Sequence, residues 1–264
     1  MACNRCSQIE LEVKQDLEPH FRSSLLDATF NSTLHHPSMT PNKVRSGLYL
    51  VTAALLMAHT FTQVGIYVFG ADKNWLAVVN MDRELNLPTL FSTLLLLASA
   101  LLLKRISRTP WRDDPADWIL LSRIFIFLAL DEALQIHEIL IFPGLRHQIH
   151  PALASTWVIP YGLISLMLIW RFRHFLKALP ARTSASFLQA GGLYLFGAIG
   201  MEIVGSFAVR SGLIRLHSFW YGAITGIEES LELLGLILFI YALMQELLNR
   251  NQEQSWVLTL RADT

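Results

Sequence analysis

Six long apolar runs, separated by short polar connectors, set the pattern of the chain. They are Gly47 to Gly70, Thr89 to Leu103, Asp117 to Phe142, Ala154 to Leu176, Phe187 to Val209 and Phe219 to Gln245. A helix rises ~1.5 Å per residue, so about 20 apolar residues cross a hydrocarbon core ~30 Å thick. Five runs reach that length. The second is shorter; Leu85 and Leu87 extend it, with Asn86 as its cap and Pro88 in its first turn. Pro160 is placed to kink the fourth. The pattern predicts an all-α fold: a polytopic membrane helix bundle of about six transmembrane helices over residues 47–248. Residues 1–46 are polar throughout and lack the apolar core of a signal peptide, so they read as a cytoplasmic tail. Residues 249–264 read as a second, short tail.

Connector charge orients the bundle. Lys104, Arg105, Arg108 and Arg112 lie between runs two and three, and Arg171, Arg173, Lys177 and Arg182 between runs four and five. Lys43 and Arg45 precede the first run, and the remaining connectors are sparser in Lys and Arg. The positive-inside rule then puts both termini in the cytoplasm and connectors 71–88, 143–153 and 210–218 outside. Trp157, Trp220 and Tyr221 read as outer interfacial anchors, and Trp118 and Trp170 as inner ones.

Composition agrees with a lipid environment. Of 264 residues 53% are hydrophobic and only 16% charged, with mean hydropathy +0.40, against about a quarter charged in ordinary soluble domains. The formal net charge is zero, which gives no basis for nucleic-acid binding. Cys3 and Cys6 are the only cysteines. Zinc there would need two further ligands, for which His20, His35 and His36 are the nearest donors; two free thiols on a tail is the simpler reading.

The chemistry lies in the acids. Asp131, Glu132, Glu138, Glu202, Glu228, Glu229 and Glu232 all fall inside apolar runs. An ionised group at the bilayer centre costs about 2.5–3.5 kcal/mol on insertion scales, so such groups face the bundle interior and mark sites. Counted from the outer helix ends, most of them and His59 and Gln63 sit ~10–20 Å deep. At ~100° per residue, Glu228, Glu229 and Glu232 share one arc with Tyr221 and Thr225, and Asp131, Gln135 and Glu138 share another. The stripes predict one outward-opening acidic cavity.

Leaving aside Arg171, Arg173 and His174 at the basic end of the fourth run, the bases within the runs are His59, His137 and Arg123, too few to neutralise the acids. Either carboxyls are protonated or a cation sits among them. His59, Asp131, Glu202, Glu228, Glu229 and Glu232 form a candidate ligand set for a divalent metal ion, with imidazole and carboxylate suiting zinc, iron or manganese. Glu138 and Glu132 would then move protons as catalytic acids or bases. The leading expectation is a metal-dependent enzyme acting on a lipid or apolar substrate from the outer leaflet. The alternatives are a small cation or proton transporter, and a structural subunit whose protonated acids hold helices together. Known motifs do not decide: Ile141 breaks the H-E-x-x-H pattern begun at His137-Glu138, and Leu233 breaks an E-E-x-x-x-R pattern begun at Glu228-Glu229.

The stretch Met81-Asp82-Arg83-Glu84-Leu85-Asn86-Leu87-Pro88-Thr89 and the helix Leu130-Asp131-Glu132-Ala133 through His137-Glu138 resemble a bacterial family of uncharacterised polytopic membrane proteins. The resemblance covers the six runs and not the tail. It implies a bacterial inner membrane and carries no activity. It adds Asp82, Glu84 and Asn86 to the residues of interest, on the outer face above the acids.

Overall fold

A computed structural model describes residues 40–83, 85–109 and 115–262, with side chains as far as 252. Cys3, Cys6, His20, His35, His36 and Glu84 fall outside the described residues. Among those described, helices and turns are the only regular structure. The long helices are α1 (Pro41–Tyr67), α2 (Leu87–Ile106), α3 (Pro115–Leu134), α4 (Val158–Ala178), α5 (Ala181–Arg210) and α6 (Phe219–Ala262).

Four of them, α1, α2, α5 and the Phe219–Gln252 part of α6, are long and apolar enough to cross a membrane. The helices α3 and α4 have 20 and 21 residues. Charge lowers their apolar character: Asp117, Arg123, Asp131 and Glu132 lie along α3, and Arg171, Arg173 and Lys177 close α4. Large apolar side chains point outward along the bundle, among them Leu50, Met57, Phe61, Leu94, Leu101, Leu163, Leu166 and Trp170. Soluble monomers rarely expose contiguous apolar patches above a few hundred Å².

The central helix is α6, which packs on α1, α2 and α5. Two clusters line it. One joins Leu55, Leu95, Leu96 and Ala129 to Leu233, Leu236 and Ile237, and takes in Met81 from the connector after α1. The other joins Leu103, Ile106, Trp118, Phe172, Phe175 and Phe187 to Phe239 and Leu243. The basic connectors lie at the end of the second cluster, and the acids beside the first.

The local rules held at α2: Asn86 Oδ1 accepts the Thr89 N–H at 2.9 Å, and Pro88 stands in the first turn. Elsewhere the structure differs from expectation. The third run does not continue to Phe142: α3 ends at Leu134, and Gln135 takes a left-handed conformation (φ 56°) before a 3₁₀ turn, Ile136–Leu140. No Gly or Pro marks the stop. It is made by Asp131, whose Oδ1 accepts the His137 N–H at 2.8 Å and the Tyr161 hydroxyl of α4 at 2.9 Å. Pro160 falls in the first turn of α4, where no N–H is needed. The last helix passes residue 248 and continues to Ala262, because the polar stretch after the apolar run has good helix formers and no breaker.

Two tryptophans are core rather than interface. Trp118 is fully buried, edge-on to Phe175 and Phe187 at 5.0 and 6.0 Å, with the Arg250 guanidinium 4.7 Å above its ring. Trp157 is buried against His137 and Tyr161. Trp170 and Trp220 are exposed, as an anchor requires.

Candidate functional site

Most of the acids singled out by the sequence come together. Glu232 of α6 is within Coulombic reach of Glu229, Glu132, Glu228 and Glu202. Tyr194 of α5 is within reach of Glu232, Glu132, Asp131 and Glu229, and Tyr221 of Glu202, Asp82, Glu228 and Glu138. Three helices therefore deliver carboxylates to one zone between α3, α5 and α6. Glu132, Glu202, Glu228, Glu229, Glu232, Tyr194 and Tyr221 are each half-buried.

Backbone geometry sets this convergence. In α5, residues Phe196–Met201 wind as a π-helix directly before Glu202. Gly197 in that stretch lies against α6: a Cβ there would sit 2.9 Å from Glu232 Cγ and 3.1 Å from the Glu228 carbonyl oxygen. Hydroxyls tie the rim of the zone. Ser92 of α2 donates to Glu132 Oε1 at 2.5 Å, and Ser206 donates to Glu202 at 3.2 Å while meeting Ser155 at 2.9 Å.

Two members of the predicted set have other roles. Asp131 is buried, and besides capping α3 it faces His137, with Oδ2 3.4 Å from Nδ1. It stands in the last turn of α3, not ~15 Å inside a longer helix. Glu138, expected on the stripe with Asp131, is on the 3₁₀ turn and exposed. Ending the helix at Leu134 broke that stripe.

His59 is 2% exposed, and both ring nitrogens are engaged by backbone: Nδ1 accepts the Met81 N–H at 3.0 Å, and Nε2 donates to Gly222 O at 2.9 Å. Buried amides continue this arrangement. Gln63 Nε2 donates to Asn80 Oδ1 at 2.9 Å, and Asn86 Nδ2 to Asn80 O at 2.7 Å and to Arg83 O. The connector after α1 is thus drawn down onto α1 and α2. Asp82 follows Met81 there, 4.0 Å from His217 of the last connector. Burial pushes the Asp82 carboxyl above its ordinary range, against the pull of His217, His59 and Arg83.

Among the described residues no three His, Cys, Asp or Glu side chains are grouped to hold an ion. His59, the nitrogen donor of the set, has no lone pair to offer while it holds Met81.

Sequence reading missed the tyrosines Tyr161 and Tyr194, the serines Ser92 and Ser155, and a second polar centre at the basic end. There Glu246 accepts from Arg250 Nε at 2.8 Å and from the Thr183 hydroxyl at 2.9 Å, all three buried. The i,i+4 spacing of Glu246 and Arg250 was the signal available for it.

Neither the curated proteins nor the solved structures give a match to the chain. One family model matches residues 47–247, that of a domain of unknown function, DUF8692. The match spans every long helix in whole or in its larger part, and the chain belongs to this family.

Proposed function

We propose that the chain is a multi-pass membrane protein of six helices, with both termini in the cytoplasm of a bacterium, whose acid zone binds protons and exchanges them for a small cation from the outer face. The observation that carries this is the surroundings of Glu232: the leading charges acting on it are four other carboxylates. Like charges in a medium of low dielectric do not all stay ionised. Protons or a cation must neutralise them. The zone is one-sided, because the aromatic cluster of Trp118, Phe175, Phe187 and Phe239 packs the other half of the bundle. Such a site loads from one face unless the helices rearrange.

The reading of these acids as zinc, iron or manganese ligands in a lipid-modifying enzyme has less behind it, since His59 is committed to backbone. Infrared spectroscopy of purified protein tests the proposal. A protonated-carboxyl C=O band is expected at neutral pH, reduced by Glu232→Gln and by rising cation concentration. A spectrum without that band, unchanged by the substitution or by cation, would end this reading.

A further inference from the structure

The hydrogen bonds of His59 define its charge. A ring nitrogen that receives an N–H must carry a lone pair, so with Met81 N–H on Nδ1 and Gly222 O on Nε2 the ring is neutral and protonated at Nε2 alone. Both partners are main chain and neither can reverse its role. The site is also close-fitted: a Cβ on Gly226 of α6 would stand 2.9 Å from His59 Cδ2.

What this bond holds matters. Met81 is 4% exposed and sits among Leu55, Leu95, Leu96 and Leu233, so a connector residue fills the core between α1, α2 and α6. Non-helical backbone at such a place is tolerated when its polar groups are satisfied. His59, Asn80 and Asn86 satisfy them here. Asp82, next in the chain, is within Coulombic reach of Tyr221, as are Glu202 and Glu228. Met81 is therefore seated beside the acid zone.

We propose that His59 is a proton-sensitive positioning residue: a proton on Nδ1 displaces the Met81 N–H, unseats Met81 and opens the acid zone at its connector end. This rests on the reading of that zone as a proton and cation site. With a proton on Nδ1 the ring and Met81 present two donors to each other, and the bond becomes a repulsion. The displaced arrangement has acceptors to hand. Asp82 lies within Coulombic reach of His59, and also of His217 and Arg83. Gln63 Oε1 is buried with no hydrogen-bond partner among the described residues. The α6 residues facing the ring, Gly222 and Gly226, bring no charge.

The test uses full-length protein in vesicles, with Cys3 and Cys6 changed to Ser. Met81→Cys and, separately, Val78→Cys are labelled with an impermeant thiol reagent between about pH 8 and about pH 4.5, a window that covers the range of histidine charging and extends below it. Val78 is 62% exposed, and the cysteine there corrects for the fall in thiolate fraction with pH. The Met81-to-Val78 rate ratio is expected to rise roughly ten-fold on acidification, the scale of one lost hydrogen bond. In a His59→Gln background, whose amide supplies both an N–H donor group and a carbonyl acceptor but does not titrate, the ratio should stay low and flat. A flat ratio with His59 present overturns the proposal, and so does an equal rise with glutamine. If glutamine prevents folding, His59→Asn serves the same comparison, and the parent ratio still decides. These rates do not depend on the Glu232 infrared band, so the two readings fail separately.

Discussion

Arg250 is 1% exposed, yet it is a permanent cation. Glu246 takes its Nε–H, and the Trp118 face lies under the guanidinium. Thr183 completes the carboxylate from the start of α5. Removing one member of a buried pair leaves the other charge unsolvated, at a cost of about 3–5 kcal/mol, while replacing both with apolar residues is often neutral. Arg250→Met should therefore lower the melting temperature of the purified protein sharply, and Glu246→Leu combined with Arg250→Met should recover most of the loss. A double variant as unstable as the summed singles would show that each residue acts through separate contacts. His59 follows the same logic: its partners, not its residue type, separate a backbone anchor from a metal ligand.

At the scale of elements, α5 is the helix whose shape matters most. Its π stretch, Phe196–Met201, precedes Glu202 and Ser206. A π turn takes up one more residue than an α turn, so everything after it is rotated by about 100° relative to a regular helix. In this register Ser206 stands 2.9 Å from Ser155. Cysteines at positions 155 and 206, in a chain without Cys3 and Cys6, should form a disulfide readily. Deleting Ala198 should convert the stretch to α-helix and abolish the cross-link. Equal cross-linking with and without the deletion would show that the π stretch does not set the register. In α3 the deciding device is again a side chain: Asp131 ends a helix that its own sequence would have continued.

Across the whole molecule the two ends differ in kind. One gathers Lys104, Arg105, Arg171, Arg173, Lys177 and Arg182 near helix ends. The other carries the acids and folded connectors, with all four described non-glycine residues of positive φ: Leu76, Leu85, Gln135 and His217. Strained backbone of this sort costs roughly 1–3 kcal/mol each and persists where surrounding contacts hold it. Basic connectors stay in the cytoplasm, so the acid end should face out. Cysteines at Val78, Gln148 and Leu213, of which Val78 and Leu213 are 62% and 71% exposed, should label from the outside of intact cells. Labelling only after the membrane is opened would invert the bundle and move the acid zone to the cytoplasmic side.

The sequence by itself determined the six helical runs, the Asn86 cap, and which residue types would carry chemistry, because hydropathy, capping and charge act over a few residues. It also placed Glu228, Glu229 and Glu232 on one arc of α6, since helical angle is a local property within a regular helix; in α5 the π stretch before Glu202 resets that angle. The tertiary structure decided the rest. Asp131 takes the His137 N–H from the turn just after it, and Tyr161 comes to the same carboxylate from α4, so its role at the end of α3 is completed by a remote partner. His59 is an anchor because Met81 returns to it from a connector 22 residues away. Trp118 is core rather than interface because Arg250, 132 positions on in the numbering, covers its ring. A buried polar side chain takes its role from whichever groups the fold brings within about 3 Å, and no pattern of neighbours along the chain contains that information.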